Sequence, residues 1–371
     1  MNEITYVSIV KAKANDIAAL TQLDASTRQI VRPLLELAEY EATDNDATLS
    51  KFIKHITPLR FPHLPYVDLY SFMPDAIVAD STNATLAGFQ RIAAAGLKVI
   101  PTYGFGRNDS IWQGLAASAK EMNSGLCFRV DIDDLDDNSE QTWEELLERT
   151  AQMGLGPEEL DIIVDLRFVG DKPLTQIISL ITGFLALQPT GFYPKNITIA
   201  GSSALKTVTE VPVNGHLALH RQELTLWSRL QDLLDFDRPV LFGDYGIVHP
   251  DFSQSVRSPN SNAKIRYTRG QSIHYFRGSP LYKPVSNFSQ YHTLAARVTT
   301  SEIYRGPQYS AGDLHILRCA QHTTGPGNLG TWVRVDQNHH IETTAKQMRH
   351  VRQALALGAS PQLLAEELQD A

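Results

Sequence analysis

The stretch Arg238-Pro-Val-Leu-Phe-Gly-Asp-Tyr-Gly-Ile-Val-His-Pro250 constrains the fold of this chain most tightly. Its apolar part, residues 239–242, shows no inside/outside alternation. That pattern belongs to a strand covered on both faces, as in a parallel sheet. The strand stops at Gly243-Asp-Tyr-Gly246, which delivers Asp244 and Tyr245 to the place where polar groups meet solvent. An apolar run ending in one or two polar residues recurs all the way back to the N-terminus.

In order, the runs are 4–10 with Lys11 at its end, 30–37 with Glu36, and 66–70 with Asp68 inside it. Next come 97–102 leading into Tyr103-Gly-Phe-Gly106, then 126–130 with Arg129 and Asp131. The last before the opening stretch are 161–166 with Asp165 and Arg167, and 197–200 followed by Gly201-Ser-Ser203. Helical periodicity fills the gaps, with Asn15 or Asp16 placed to cap and Gly96 placed to end a helix. Eight strands alternating with helices predict a (β/α)8 TIM-like barrel, which needs about 250 residues. An open doubly wound sheet is the alternative and accommodates fewer strands more comfortably.

The barrel is expected over residues 1–250. Beyond it the pattern breaks, and 251–371 read as an elaboration packed on the barrel that includes the barrel's last helix. Residues 255–263 form a polar loop. Lys264 to Arg277 then alternates with period two around Arg269-Gly270, predicting a β-hairpin that concentrates Lys264, Arg266, Thr268 and His274. Helices are expected at 289–304, 311–322 and 342–357, with a flexible loop at 323–330. His339-His340 reads as a surface turn.

Composition narrows the function classes. The 371 residues are 43% hydrophobic and 20% charged, enough apolar material for a large core. A net charge of −8 argues against a dedicated nucleic-acid binder, because such binding rests on neutralising phosphates. Cys127 and Cys319 are too few for a disulfide framework or a zinc signature and read as buried small hydrophobes. The first residues lack a basic region followed by an apolar one, and the longest apolar stretch, 177–187, is too short to cross a bilayer. A cytoplasmic location is the expectation.

A barrel brings its strand C-termini together on one face, where barrel enzymes place their chemistry. Lys11, Glu36, Asp131, Asp165 and Asp244 are therefore the candidate catalytic groups. Asp68, Tyr103, Arg129, Arg167, Ser202, Ser203 and Tyr245 are the candidate ligand contacts. Carboxylates this dense need a cation among them, supplied by Lys11, Arg129 and Arg167 or by a hard divalent ion. Each feature also has a plainer reading. Lys11 with Glu36 is then an ion pair plugging the mouth, and 131–137 a solvated loop at a helix N-terminus. Gly104-Phe-Gly106 lacks the third glycine of a dinucleotide fingerprint, and the Ser202-Ser203 pair lacks a nucleophile-elbow context.

Tyr6-Val-Ser-Ile-Val-Lys11, Arg32-Pro-Leu-Leu-Glu36, Ala200-Gly-Ser-Ser203, Phe242-Gly-Asp-Tyr-Gly246 and Tyr275-Phe-Arg-Gly278 together resemble the "beta protein" family of phages and bacteria. Its members begin with a Tyr-x-Pro-x-x-Lys strand and a Pro-Leu-x-Glu strand; Ser8 stands here where proline is common. The resemblance covers nearly the whole chain and implies a role in phage–bacterium conflict, but transfers no catalytic residues. Two functions follow. One is an enzyme binding a phosphorylated or nucleotide-like ligand at the barrel mouth. The other is a non-catalytic protein-binding module using the hairpin and C-terminal helices. Nucleic-acid binding through Lys264, Arg266, Arg269 and Arg277 is a weaker third.

Overall fold

The computed structural model describes residues 4–39, 42–107, 111–135, 139–233, 240–251, 261–282 and 287–357. Arg238, Pro239, Asp136, Asp137 and residues 255–260 of the polar loop before the hairpin lie outside the described residues.

The parallel strands run β1 (Tyr6–Lys11), β2 (Val31–Glu36), β3 (Tyr66–Asp68), β4 (Ile100–Gly104), β5 (Leu126–Asp131), β6 (Leu160–Phe168) and β7 (Asn196–Ser202). β8 (His216–His220) leaves the series, and β9 (Leu241–Asp244) closes it by pairing with both β7 and β1. The sheet is therefore a closed eight-stranded barrel, and the open-sheet alternative is excluded. The intervening helices are α1 (Ala14–Thr21), α2 (Ala25–Arg28), α3 (Asn45–Ile56), α4 (Ala84–Ala94), α5 (Trp112–Met122), α6 (Ser139–Met153), α7 (Leu174–Ala186) and α8 (Gln222–Leu233). Asp44 accepts the Ala47 N–H at 2.8 Å to cap α3, one of the orphan donors of a helix start.

Side chains alternate across each strand, which splits the apolar residues into two cores. Ile9, Leu34, Tyr66, Ile100, Ile163 and Leu241 fill the barrel interior. Tyr6, Val10, Leu35, Val67, Phe128 and Phe242 face outward into the helix layer. Near the N-terminal ends of the strands the interior is polar: Arg32 donates to Asp161 at 2.9 Å and to the Tyr66 hydroxyl at 2.8 Å.

The predicted hairpin is β10 (Asn262–Arg269) with β11 (Ser272–Pro280), in register Arg269↔Ser272. A strand not foreseen, β8, adds to its edge to make a three-stranded antiparallel sheet. Helices α9 (Gln290–Thr299), α10 (Ala311–Ala320) and α11 (Leu329–Ala356) follow, with α11 packed on α1, β1, β10 and α10. α11 thus fills the place of the barrel's eighth helix while also covering the hairpin. It begins well before the expected start at 342, because Asn328 and Thr331 form a capping box at its N-terminus.

Two sequence expectations are corrected here. His339 and His340 are not in a surface turn but lie fully buried within α11. Two of the hairpin's four cations are not free surface charges either. Arg266 donates from Nε to Asp336 of α11 at 2.9 Å, and Arg277 is spent on the carbonyls of Thr209 and Val211.

Candidate functional site

Arg129 organises the barrel mouth. Its strand parity points it inward, where Nη1 donates to Asp68 at 2.7 Å, Nη2 to Glu36 at 2.7 Å, and Nε to Asp165 at 2.9 Å. The Tyr245 hydroxyl bridges this cluster, receiving from Arg129 at 2.7 Å and donating to Asp165 at 2.6 Å. Lys11 closes one side with an ion pair to Glu36 at 2.6 Å and a hydrogen bond to Tyr70 at 2.9 Å. Arg107 closes another, donating to both oxygens of Asp68 at 2.7 and 3.0 Å. Three cations thus meet three carboxylates. Lys11 and Arg107 remain 23% and 25% exposed while Glu36, Asp68 and Asp165 are at most 2% exposed, so the cations form the solvent side of the cluster.

The electrostatics follow from that geometry. Burial works to raise the Asp68 pKa, but Arg107 and then Arg129 outweigh it and hold the carboxyl at about 2. Burial works to lower Lys11, and the Glu36 carboxylate reverses this, so the ammonium stays charged. Burial pushes the Tyr245 hydroxyl well above its ordinary value, which keeps it a proton donor to Asp165. Arg129 sits among the carboxylates, in the place a divalent ion would otherwise take. Among the described residues no group of three or more His, Cys, Asp or Glu is arranged to hold a metal.

Of the residues singled out from sequence, Lys11, Glu36, Asp68, Arg129, Asp165 and Tyr245 converge here. Arg167 lies at the edge: its backbone N–H reaches Asp165 at 3.0 Å, while its guanidinium pairs with exposed Asp251 at 2.7 Å. The others stand apart. Asp131 is exposed and folds its own loop, accepting the N–H groups of Asp133 and Asp134 at 2.9 and 3.2 Å. Tyr103 has the opposite parity and packs in the helix layer against Trp112, ring centroids 4.6 Å apart and tilted. Ser202 accepts the Ala204 N–H at 3.1 Å, and Ser203 donates to buried Glu223 at 2.6 Å, so both hold the turn together.

Asp244 also faces outward, into a second buried network. It accepts from Gly246 N–H at 2.9 Å, from His340 Nε2 at 2.9 Å, from Arg221 Nη2 at 3.1 Å and from the Tyr6 hydroxyl. His340 Nδ1 faces the Thr268 hydroxyl at 2.7 Å, so a neutral ring donating from Nε2 satisfies both contacts. Burial opposes ionisation of Asp244, yet His340 and Arg221 hold it at about 2. This network welds α11 and the hairpin turn to the barrel wall.

Arg107, Tyr70, Arg221 and His249 escaped the sequence reading. One signal for Arg107 was available: a Cβ at Gly104 would sit 2.7 Å from the Arg107 Nε, so glycine at the end of β4 lets that arginine fold back over the mouth. Beside the cluster, a cleft with about 480 Å³ of unfilled space, open solvent included, is lined by Lys11, Lys13, Asp16, Glu36, His249 and Gln337 among others.

Fold and site together define a closed (β/α)8 barrel whose mouth holds interlocked arginine, lysine and carboxylate side chains. The chain belongs to the beta protein family, whose model matches residues 6–346. No curated protein matches it significantly. Among solved structures it is similar to a mandelate racemase/muconate lactonizing protein from Herpetosiphon aurantiacus, at 13% identity and a TM-score of 0.31, covering 74% of this chain and 63% of that one. It is also similar to an alanine racemase of Clostridium difficile 630 in complex with cycloserine, at 12% identity and a TM-score of 0.34, covering 73% and 61%. The match thus spans about three-fifths of the length of each of those proteins. At this distance the likeness says nothing of reaction or ligand. Among the described residues no helix is long and apolar enough to cross a membrane.

Proposed function

We propose that the barrel mouth binds a small phosphorylated or nucleotide-like ligand and that the protein is an enzyme acting on it. One observation carries this reading. The partly exposed cations Lys11 and Arg107 line the solvent side of carboxylates that Arg129 also pairs from beneath. Lys11 has three donors and Arg107 five, more than their protein partners consume, so both keep N–H groups to offer an anion. Arg167 adds a third cation at the edge, and the Tyr70 ring, with Lys11 5.2 Å and Arg107 5.7 Å from its centroid, supplies an aromatic face. Glu36 is the acid/base candidate, because it lines the cleft and pairs with Lys11 at 2.6 Å. Asp165, which accepts from Arg129, Tyr245 and the Arg167 backbone, holds the others in place. The setting we infer, phage–bacterium conflict, rests on the family resemblance and not on the mouth.

The test is calorimetric titration of the full chain with nucleotides and phosphorylated metabolites. Binding that falls at least tenfold in Lys11→Ala and Arg107→Gln, with melting temperature nearly unchanged, supports the reading. Failure of the unsubstituted protein to bind any anion ends it.

A second reading is favoured by the pairing of every mouth carboxylate: the network is a structural plug, and the protein is a non-catalytic module that binds a protein partner through the hairpin and C-terminal helices. It requires Lys11→Ala to leave biological function intact while substitutions on β11 abolish it.

A further inference from the structure

The cleft beside the mouth is bounded by four separate pieces of chain: the end of β1 with the loop and α1 start after it, Glu36 at the end of β2, the turn at 245–250, and Val333 and Gln337 of α11. Most of its polar groups are already engaged. Glu36 is held by Lys11 and Arg129, and Gln337 accepts the Ile247 N–H at 3.3 Å. His249 differs. Its ring packs against Phe168 with centroids 4.5 Å apart, and its Nδ1 accepts the Asp251 backbone N–H at 3.1 Å. A nitrogen that accepts an N–H presents its lone pair, so the ring proton sits on Nε2. Nε2 takes no hydrogen bond among the described residues. The backbone has therefore fixed one tautomer and left a single N–H donor on a residue that is 7% exposed and lines the cleft.

Building on the reading that the mouth takes an anion, we propose that this cleft is its phosphoryl subsite. Lys11 and Lys13 supply the charge, and the His249 Nε2–H gives one directed hydrogen bond to a phosphoryl oxygen. Burial keeps the imidazole below its ordinary pKa, so it donates as a neutral group and competes with neither lysine for a proton. Two acidic groups share the cleft. Glu36 is neutralised by its cations, and burial pushes Asp16 up to about 7, which lets it take a proton when an anion arrives. The wall formed by α11 makes the C-terminal elaboration part of the site.

The experiment is titration of the full chain with inorganic phosphate at neutral pH and low salt, followed by calorimetry, for the unsubstituted protein, H249F, H249Q and H249N. Phenylalanine keeps the ring packing on Phe168 and loses the donor, so phosphate should bind about tenfold more weakly, the loss expected for a hydrogen bond to a charged group. Glutamine returns an N–H near the Nε2 position and should restore most of the affinity; asparagine reaches only the Nδ1 position and should not. If H249F fails to fold, the H249Q/H249N pair decides alone. Equal affinity across the set overturns the subsite and leaves the wider reading standing. Absence of phosphate binding by the unsubstituted protein overturns the subsite, and the nucleotide titration then decides the wider reading by itself.

Discussion

Asp244 and Tyr245 are neighbours in the chain and stand on opposite sides of the barrel wall. The Tyr245 hydroxyl donates to Asp165 inside the mouth at 2.6 Å, while Asp244 receives Arg221 at 3.1 Å and His340 at 2.9 Å outside it. One turn thereby anchors two charge networks, one offered to a ligand and one that fastens α11 to the barrel.

Removing the central cation should cost far more than removing one at the rim. Arg129→Met leaves Glu36, Asp68 and Asp165 without their shared donor in a buried site, where breaking an ion pair costs about 3–5 kcal/mol. Arg107 is partly exposed, and Arg107→Gln should cost about 1 kcal/mol or less. Urea-unfolding midpoints of the two variants measure the difference.

Acid should dissolve both networks. Asp68 and Asp244 are each held at about 2, below the unfolded carboxylate value, so their contribution is complete above about pH 4 and fades as pH falls toward 2. Asp244→Asn should therefore be less stable than the unsubstituted protein at neutral pH, and the gap should narrow across that window. A stability difference that stays constant down to pH 2 would contradict the assignment.

Asp16 should act with the opposite sign. Burial raises it to about 7, so its neutral form is favoured in the folded state, and stability is lost as pH rises from about 4 through about 7. Asp16→Asn removes this penalty and should stabilise the protein by roughly 2–4 kcal/mol at pH 8 while changing little at pH 4. Melting temperatures of both proteins at the two pH values test it.

The eight-strand order was legible because buried parallel strands are written as continuous apolar runs, and Lys11, Glu36, Asp68, Arg129 and Asp165 could be read from strand ends. What the runs did not disclose was side-chain direction. Asp244 and Tyr103 have outward parity, and parity is fixed only once the register with neighbouring strands is known. The polar stretch Asp336 to Thr344 was equally opaque. Such residues read as solvent-facing, yet Asp336 pairs with Arg266, His339 with Asp313, and Glu342 with Thr27 and the Asp24 N–H. Their partners lie distant in sequence, so only the fold reveals that burial is compensated. β8 was missed because five alternating residues at the end of a polar insertion make a weak strand signal until β11 is placed beside them.

Residues that share strand ends with the site but not its geometry should be silent there. Asp131→Asn and Tyr103→Phe should leave anion affinity unchanged within a factor of about two. Gly104→Ala, in contrast, crowds Arg107 away from Asp68 and should weaken binding, a distinction that parallel titrations resolve.

The most direct measurement is a crystal of the full chain soaked in tungstate, a heavy tetrahedral anion located by its anomalous scattering. A single strong peak within hydrogen-bonding reach of Lys11 and the His249 Nε2 is the expected result. Tungstate bound elsewhere on the surface, with no peak at the barrel mouth, would contradict the proposal that the interlocked charges serve a ligand.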